Sequence, residues 1–150
     1  YQAIDKSERD PRDVLVARLA EAGVAADVAH RALDLARPTT REALRAAHGA
    51  NAAVGEALDR LDRYFATLDA LEVGDWVTLD LTIVRGLAYY TGIVFELFDA
   101  QGEFRAICGG GRYDALLGAL GGVELPALGF GMGDVVLGEL LRDRGLMPAY

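Results

Sequence analysis

The architecture of this chain turns on Ile93-Val94-Phe95-Glu96-Leu97-Phe98-Asp99-Ala100-Gln101-Gly102-Glu103-Phe104-Arg105-Ala106-Ile107-Cys108. Its first six residues are apolar except Glu96, which predicts a strand covered on both faces. Asp99 to Gly102 are turn formers, and Glu103 to Cys108 resumes an extended pattern, so the stretch predicts an antiparallel hairpin. Gly109-Gly110-Gly111 is expected to end the second strand. Arg112 to Leu120 then carries Tyr113, Leu116, Leu117 and Leu120 at helical spacing. Ala127 to Gly133 predicts a short glycine-rich strand, and Asp134 to Gly145 a closing helix with Asp134 as N-cap and Gly145 with Pro148 as stop. On the other side of the hairpin, Val77, Leu79, Leu81 and Ile83 alternate with Thr78, Asp80 and Thr82, the period-two pattern of a strand.

Upstream of Gly74 the composition changes to alanine, leucine, aspartate, glutamate and arginine, with Tyr1, Tyr64 and Phe65 the aromatic residues. Asp10-Pro11 predicts the start of a helix that Gly23 ends. Val24 to Arg37 predicts a second helix stopped by Pro38, because the residue before proline is pushed out of the helical region. Thr39 with Glu42 matches a capping box for a brief helix that Gly49 closes. Val54, Leu58, Leu61, Phe65 and Leu68 fall at alternating steps of four and three on a long helix from about Asn51 to Leu71. The expected fold class is therefore α+β, with a helical domain over 1–73 and a sheet-containing domain over 74–150, packing as separate units joined near Gly74.

The 150 residues are 52% hydrophobic and 25% charged, which excludes a disordered chain. No run approaches the roughly 18 apolar residues of a membrane span, and the first residues lack the layout of a secretory signal. Fifteen basic against 23 acidic residues give a net charge of −8, which argues against gripping nucleic acid through a basic face. Cys108 is the one cysteine, so no internal disulfide or multi-cysteine zinc site exists and a reducing compartment is expected. His30 and His48 have no partners at ligand spacing, so no protein-bound metal is expected.

Three segments can carry chemistry. Val84-Arg85-Gly86-Leu87-Ala88-Tyr89-Tyr90-Thr91-Gly92 offers an arginine fork for carboxylate or phosphate oxygens and two tyrosines to wall a pocket. On spacing alone, a surface arginine beside two amphipathic tyrosines is the somewhat better reading. Gly109 to Asp114 either admits a nucleotide or substrate against a helix start or is a tight strand-to-helix turn, with equal weight. Gly129, Gly131 and Gly133 alternate along a strand, which leaves one face bare for a flat ring or for close packing of another strand. No Walker or dinucleotide-binding glycine pattern is present. Cys108 reads as a buried packing thiol.

Arg85 to Glu96, followed by Gly109-Gly110-Gly111-Arg112-Tyr113-Asp114, closely resembles the two histidine-specific signature motifs of the histidyl-tRNA synthetase family, in the family's order and at a similar separation. Ala127 to Gly133 resembles the glycine-rich strand of class II motif 3, and Ala3-Ile4-Asp5-Lys6 the family's lead into its helical insertion domain. The resemblance is strong from Trp76 to Pro148 and loose across the helices. Ala88 stands where many members have aspartate, Val136 where the motif 3 arginine falls, and nothing resembles motifs 1 and 2 or an anticodon-binding domain.

The resemblance implies a helical insertion bundle followed by part of a class II catalytic core, the middle of a longer cytoplasmic synthetase. It implies a ligase that activates histidine with ATP, brought as its Mg2+ complex, and transfers it to tRNA(His), working as a homodimer. Arg85 would bridge the histidine carboxylate and the α-phosphate; Tyr89, Tyr90, Gly110, Arg112 and Tyr113 would line the histidine pocket; Gly131 and Gly133 would leave room for adenine. The 150 residues alone are expected to be inactive. Two rivals remain: a non-catalytic, histidine-binding regulatory subunit of ATP phosphoribosyltransferase, and a helical bundle plus hairpin acting only in protein contacts.

Overall fold

The structure, a computed structural model, describes residues 10–35, 37, 39–83 and 89–148. The chain divides into two compact units, Tyr1–Val84 and Arg85–Tyr150.

In the first unit four helices follow one another: α1 Arg12–Glu21, α2 Ala26–Asp34, α3 Arg41–His48 and α4 Ala52–Ala70. α1 and α2 pack through buried Leu15, Ala29 and Leu33, and Arg12 clips them together by bonding to the His30 carbonyl and the Asp34 carboxylate. Asp10 does not cap α1; Pro11 takes the cap position with no side-chain bond, and Asp10 pairs instead with Arg18. Gly23 ends α1 at φ +83°, a left-handed turn natural to glycine. α2 is shorter at both ends than its pattern suggested, and the proposed stop at Pro38 lies outside the described residues. Thr40, not Thr39, caps α3, its Oγ1 accepting from the Ala43 N–H at 3.1 Å. α4 matches its expected span, capped by Asn51 at the start and ending at Leu71, with Leu58 buried and Leu61, Phe65 and Leu68 half-buried on the stripe. Arg41 bonds to Asp62 and lies over the Phe65 ring at 4.4 Å, while Arg45 reaches both Asp59 and Asp62.

A 3-10 turn, Gly74–Trp76, follows α4, and residues 77–83 form no strand. Their alternation survives as burial, with Val77, Leu79 and Leu81 half-buried and Thr78 and Asp80 exposed. A strand, however, exists only when paired. Among the described residues nothing pairs with this one, and Asp80 Oδ1 instead takes the Thr82 N–H at 2.8 Å in a local turn.

The second unit is built on a three-stranded antiparallel sheet in the order β1-β2-β3: β1 Val94–Leu97, β2 Cys108–Tyr113 and β3 Ala127–Met132. The hairpin is correct, and its turn closes through the Gly102 N–H to the Asp99 carbonyl with Gly102 at φ +69°. Its second strand, however, starts at Cys108 rather than running from Glu103 to Cys108. Gly109, Gly110 and Gly111 therefore lie inside the central strand, fully buried, and are not a strand-to-helix turn. Arg112 and Tyr113 are strand residues too, which reduces the expected helix to a single turn, α5 Leu116–Ala119. α6 Asp134–Asp143 closes the chain with Gly133 at the cap position and Gly145 in a left-handed turn at φ +66°. Arg144 fastens the end of α6 to the hairpin turn by a two-pronged bond to the nearly buried Asp99 carboxylate.

Candidate active site

Strand alternation sorts this sheet into two faces of opposite character. Pairing of Val94 with Gly111 and Glu96 with Gly109, then of Gly111 with Gly129 and Gly109 with Gly131, puts four glycines side by side on one face. Tyr113, paired with Ala127, shares that face. The other face carries Phe95 and Leu97 from β1 and Leu128, Phe130 and Met132 from β3, all exposed. The expectation that the hairpin's first strand is covered on both faces is not met among the described residues: β1 lies at the edge of the sheet there, with Val94 and Glu96 half-buried and Phe95 and Leu97 exposed.

Over the glycine face stand three tyrosine rings. Tyr89 and Tyr90 lie 4.7 Å apart, Tyr89 meets Tyr113 edge-on at 5.6 Å, and Tyr90 is 6.3 Å from Tyr113. The rings fit because the floor has no side chains. A Cβ on Gly111 would lie 2.9 Å from Tyr90 Cδ1, and one on Gly129 would lie 2.8 Å from the Tyr113 hydroxyl. Beyond the rings, a Cβ on Gly131 would meet nothing within 4 Å, so the floor there is open to a flat group. At Gly133 a Cβ would be 3.9 Å from the Ile107 carbonyl and adds no obstruction.

Residues 89–93, which carry Tyr89 and Tyr90, have no regular structure. They are fixed from the side by β2. The Thr91 N–H donates to the Arg112 carbonyl at 3.0 Å, Thr91 Oγ1 donates to Asp114 Oδ2 at 2.7 Å and accepts the Asp114 N–H at 3.0 Å. Arg112 Nε donates to the other Asp114 oxygen at 2.8 Å. The Thr91 hydroxyl first, and Arg112 second, hold the Asp114 carboxyl below the usual aspartate range.

Of the residues expected to form the site, Tyr89, Tyr90, Tyr113 and Gly131 come together on one face. Gly110 and Arg112 alternate with Gly111 and Tyr113 along β2 and so belong to the opposite face. Gly110 is required there by close approach of β3, and Arg112 bonds to Asp114. Arg85 and the Ala3 to Lys6 segment lie outside the described residues. Sequence reading gave no role to Glu96, the carboxylate on the glycine face, or to Thr91 and Asp114; the register that reveals them is a property of paired strands. His30 and His48 are exposed on their helices, and Cys108 is a free buried thiol. No group of three or more His, Cys, Asp or Glu side chains that could hold a metal ion occurs among the described residues. No described helix is long and apolar enough to cross a membrane.

Residues 7–134 match the family model for histidyl-tRNA synthetase. The chain belongs to the histidyl-tRNA synthetase family. It is 43% identical over 145 residues to the chloroplastic/mitochondrial histidine–tRNA ligase of Arabidopsis thaliana, covering 97% of this chain and 29% of that protein. It is 60% identical over 83 residues to the histidine–tRNA ligase of Opitutus terrae, covering 55% of this chain and 19% of that one. The crystal structure of a histidyl-tRNA synthetase from Nostoc sp. PCC 7120 superposes with TM-score 0.81 at 25% identity, over 98% of this chain and 36% of that chain. A Bacillus halodurans C structure described as an ATP phosphoribosyltransferase regulatory subunit/histidyl-tRNA synthetase superposes with TM-score 0.67 at 25% identity, over 87% of this chain and 35% of its own. The α+β architecture is thus that of a histidyl-tRNA synthetase, and the chain spans roughly a fifth to a third of the length of these curated relatives.

Proposed function

We propose that this chain supplies the histidine-reading part of a histidine–tRNA ligase, with residues 1–73 as its helical insertion and 74–150 as the C-terminal part of its catalytic core. The observation that carries the reading is the cluster of Tyr89, Tyr90 and Tyr113 above the bare glycine face of the sheet. Aromatic walls suit a flat imidazole, and a hydroxyl that pairs with a ring nitrogen rejects amino acids lacking that partner. Gly131 and Gly133 leave space for adenine, so histidine and ATP would lie side by side along the same face. The histidine carboxylate then attacks the α-phosphorus in line and pyrophosphate leaves; a hydroxyl at the 3′ end of tRNA(His) next attacks the histidyl carbonyl of the adenylate, losing its proton as AMP leaves. Arg85, four positions before Tyr89 in sequence, carries a fixed charge that cannot act as a base. Its part is to stabilise charge that grows on the α-phosphate and to hold the two reactants in register. Gly110 and Arg112 serve the pocket from the opposite face, the first by letting β3 approach and the second through Asp114. ATP brings Mg2+ with it. The same reading carries a homodimer and a cytoplasmic location.

A histidine-binding regulatory subunit of ATP phosphoribosyltransferase is the weaker reading. It shares the fold at the lower TM-score, whereas the family model and the more similar relatives are synthetases. Histidine-dependent exchange of pyrophosphate into ATP, followed by charging of tRNA(His), measured on the full-length protein that carries this chain, separates the two. Exchange that falls about a hundredfold or more in Arg85→Ala while histidine still binds supports the synthetase. Histidine binding with no exchange in the unaltered protein supports the regulatory subunit. The 150 residues alone are expected to give no exchange, since nothing in them resembles the ATP-gripping arginine of motif 2.

A further inference from the structure

We propose that Thr91 and Asp114 form a latch that sets the width of the tyrosine pocket, with Asp114 as a positioning residue acting through Thr91. Thr91 is the residue after Tyr90, and Asp114 is the residue after Tyr113. The two bonds between them, at 2.7 Å and 3.0 Å, therefore tie together the backbone just beyond each wall of the pocket. β1 begins at Val94, and ahead of it the Arg112 N–H donates to the Ile93 carbonyl at 3.0 Å and the Thr91 N–H to the Arg112 carbonyl at 3.0 Å. The latch adds a side-chain tie to these backbone bonds immediately after Tyr90 and Tyr113. Both carboxylate oxygens of Asp114 are engaged, one by Thr91 and one by Arg112, which fixes the carboxylate's orientation as well as its position. Packing closes the other side, since a Cβ on Gly92 would lie 3.1 Å from Arg112 Cδ. What the pocket holds rests on the synthetase reading; that the latch spaces the rings does not.

Two measurements test it. In the full-length protein, Thr91→Val and Asp114→Ala should each raise KM for histidine about tenfold, with kcat changed little and KM for ATP unchanged. Thr91→Ser, which keeps the hydroxyl, should restore the wild-type KM. In the 150-residue chain, ring-to-ring NOEs between Tyr90 and Tyr113 should weaken in Thr91→Val and persist in Thr91→Ser. Variants that lower the melting temperature but leave both the histidine KM and the NOEs unchanged would overturn the latch. Loss of the NOEs in a parent that shows no histidine-dependent exchange would sustain the latch and reject the synthetase reading.

Discussion

Gly110 in the central strand lies directly opposite Phe130 in β3, and a Cβ on Gly110 would fall 2.7 Å from Phe130 Cβ and still closer to the Gly129 carbonyl oxygen. Neither neighbour is a flexible tip; one is backbone. Gly110→Ala is therefore expected to force β2 and β3 apart and to destabilise the sheet unit by about 1–3 kcal/mol, the usual cost of overpacking. Urea unfolding followed by tyrosine fluorescence would measure it, and an unchanged midpoint would show that the strands can separate freely.

The same pair shows where sequence reading reached its limit. The hairpin, the third strand and the long α4 were legible because turn residues and apolar periodicity are local signals. Val54, Leu58, Leu61, Phe65 and Leu68 declare a helix face whatever packs against it. The glycine triplet declares nothing of the kind, since glycine suits a tight turn and a crowded strand equally well. Only the partner strand, bringing Phe130 against Gly110, decides between them. The strand expected over Val77 to Ile83 failed for the related reason that alternation specifies faces and not a partner. Site residues were recognised as motifs, but their division between the two faces of β2 required the register.

Thr40 offers a local test in the helical unit. Its hydroxyl satisfies the Ala43 N–H at the start of α3, an eight-residue helix. Thr40→Ala should cost about 1 kcal/mol, the typical value for a lost N-cap, whereas Thr39→Ala should cost little. Equal effects of the two substitutions on thermal unfolding would mean that the cap had been assigned to the wrong threonine.

Asp62 predicts the acid behaviour of the same unit. The bond from Arg45, and then that from Arg41, hold its carboxyl below the ordinary value of 3.8. A depressed carboxylate stabilises the fold at every pH above its unfolded pKa, and the contribution disappears as pH falls through the lower, folded pKa. Glu42 is shifted the same way by its own backbone bond and by Thr40. Stability of the helices should thus be level above about pH 5 and decline below about pH 4. Asp62→Asn should weaken the helices at neutral pH and flatten that decline. A decline of the same steepness in the variant would assign the acid response to other groups. The Arg45–Asp62 contact is solvent-exposed and the Arg41–Asp62 contact partly so, so salt should shrink the effect.

Gly129 and Gly131, two residues apart on the same bare face, should separate the two substrates. A Cβ on Gly131 meets nothing, so a side chain there costs the fold little but rises into the space assigned to adenine. A Cβ on Gly129 meets the Tyr113 hydroxyl at 2.8 Å, the movable end of a side chain, so the ring shifts and the strand stays. Gly131→Val in the full-length protein should therefore raise KM for ATP by at least tenfold and leave histidine KM and the melting temperature nearly unchanged. Gly129→Ala should do the reverse, raising KM for histidine through the displaced Tyr113 and sparing ATP. Steady-state exchange with each substrate varied in turn gives both constants. If Gly131→Val leaves the ATP constant untouched, the open floor is not where the purine lies. If both variants instead raise both constants together, the face acts as one undivided pocket and the side-by-side arrangement of histidine and adenine is wrong.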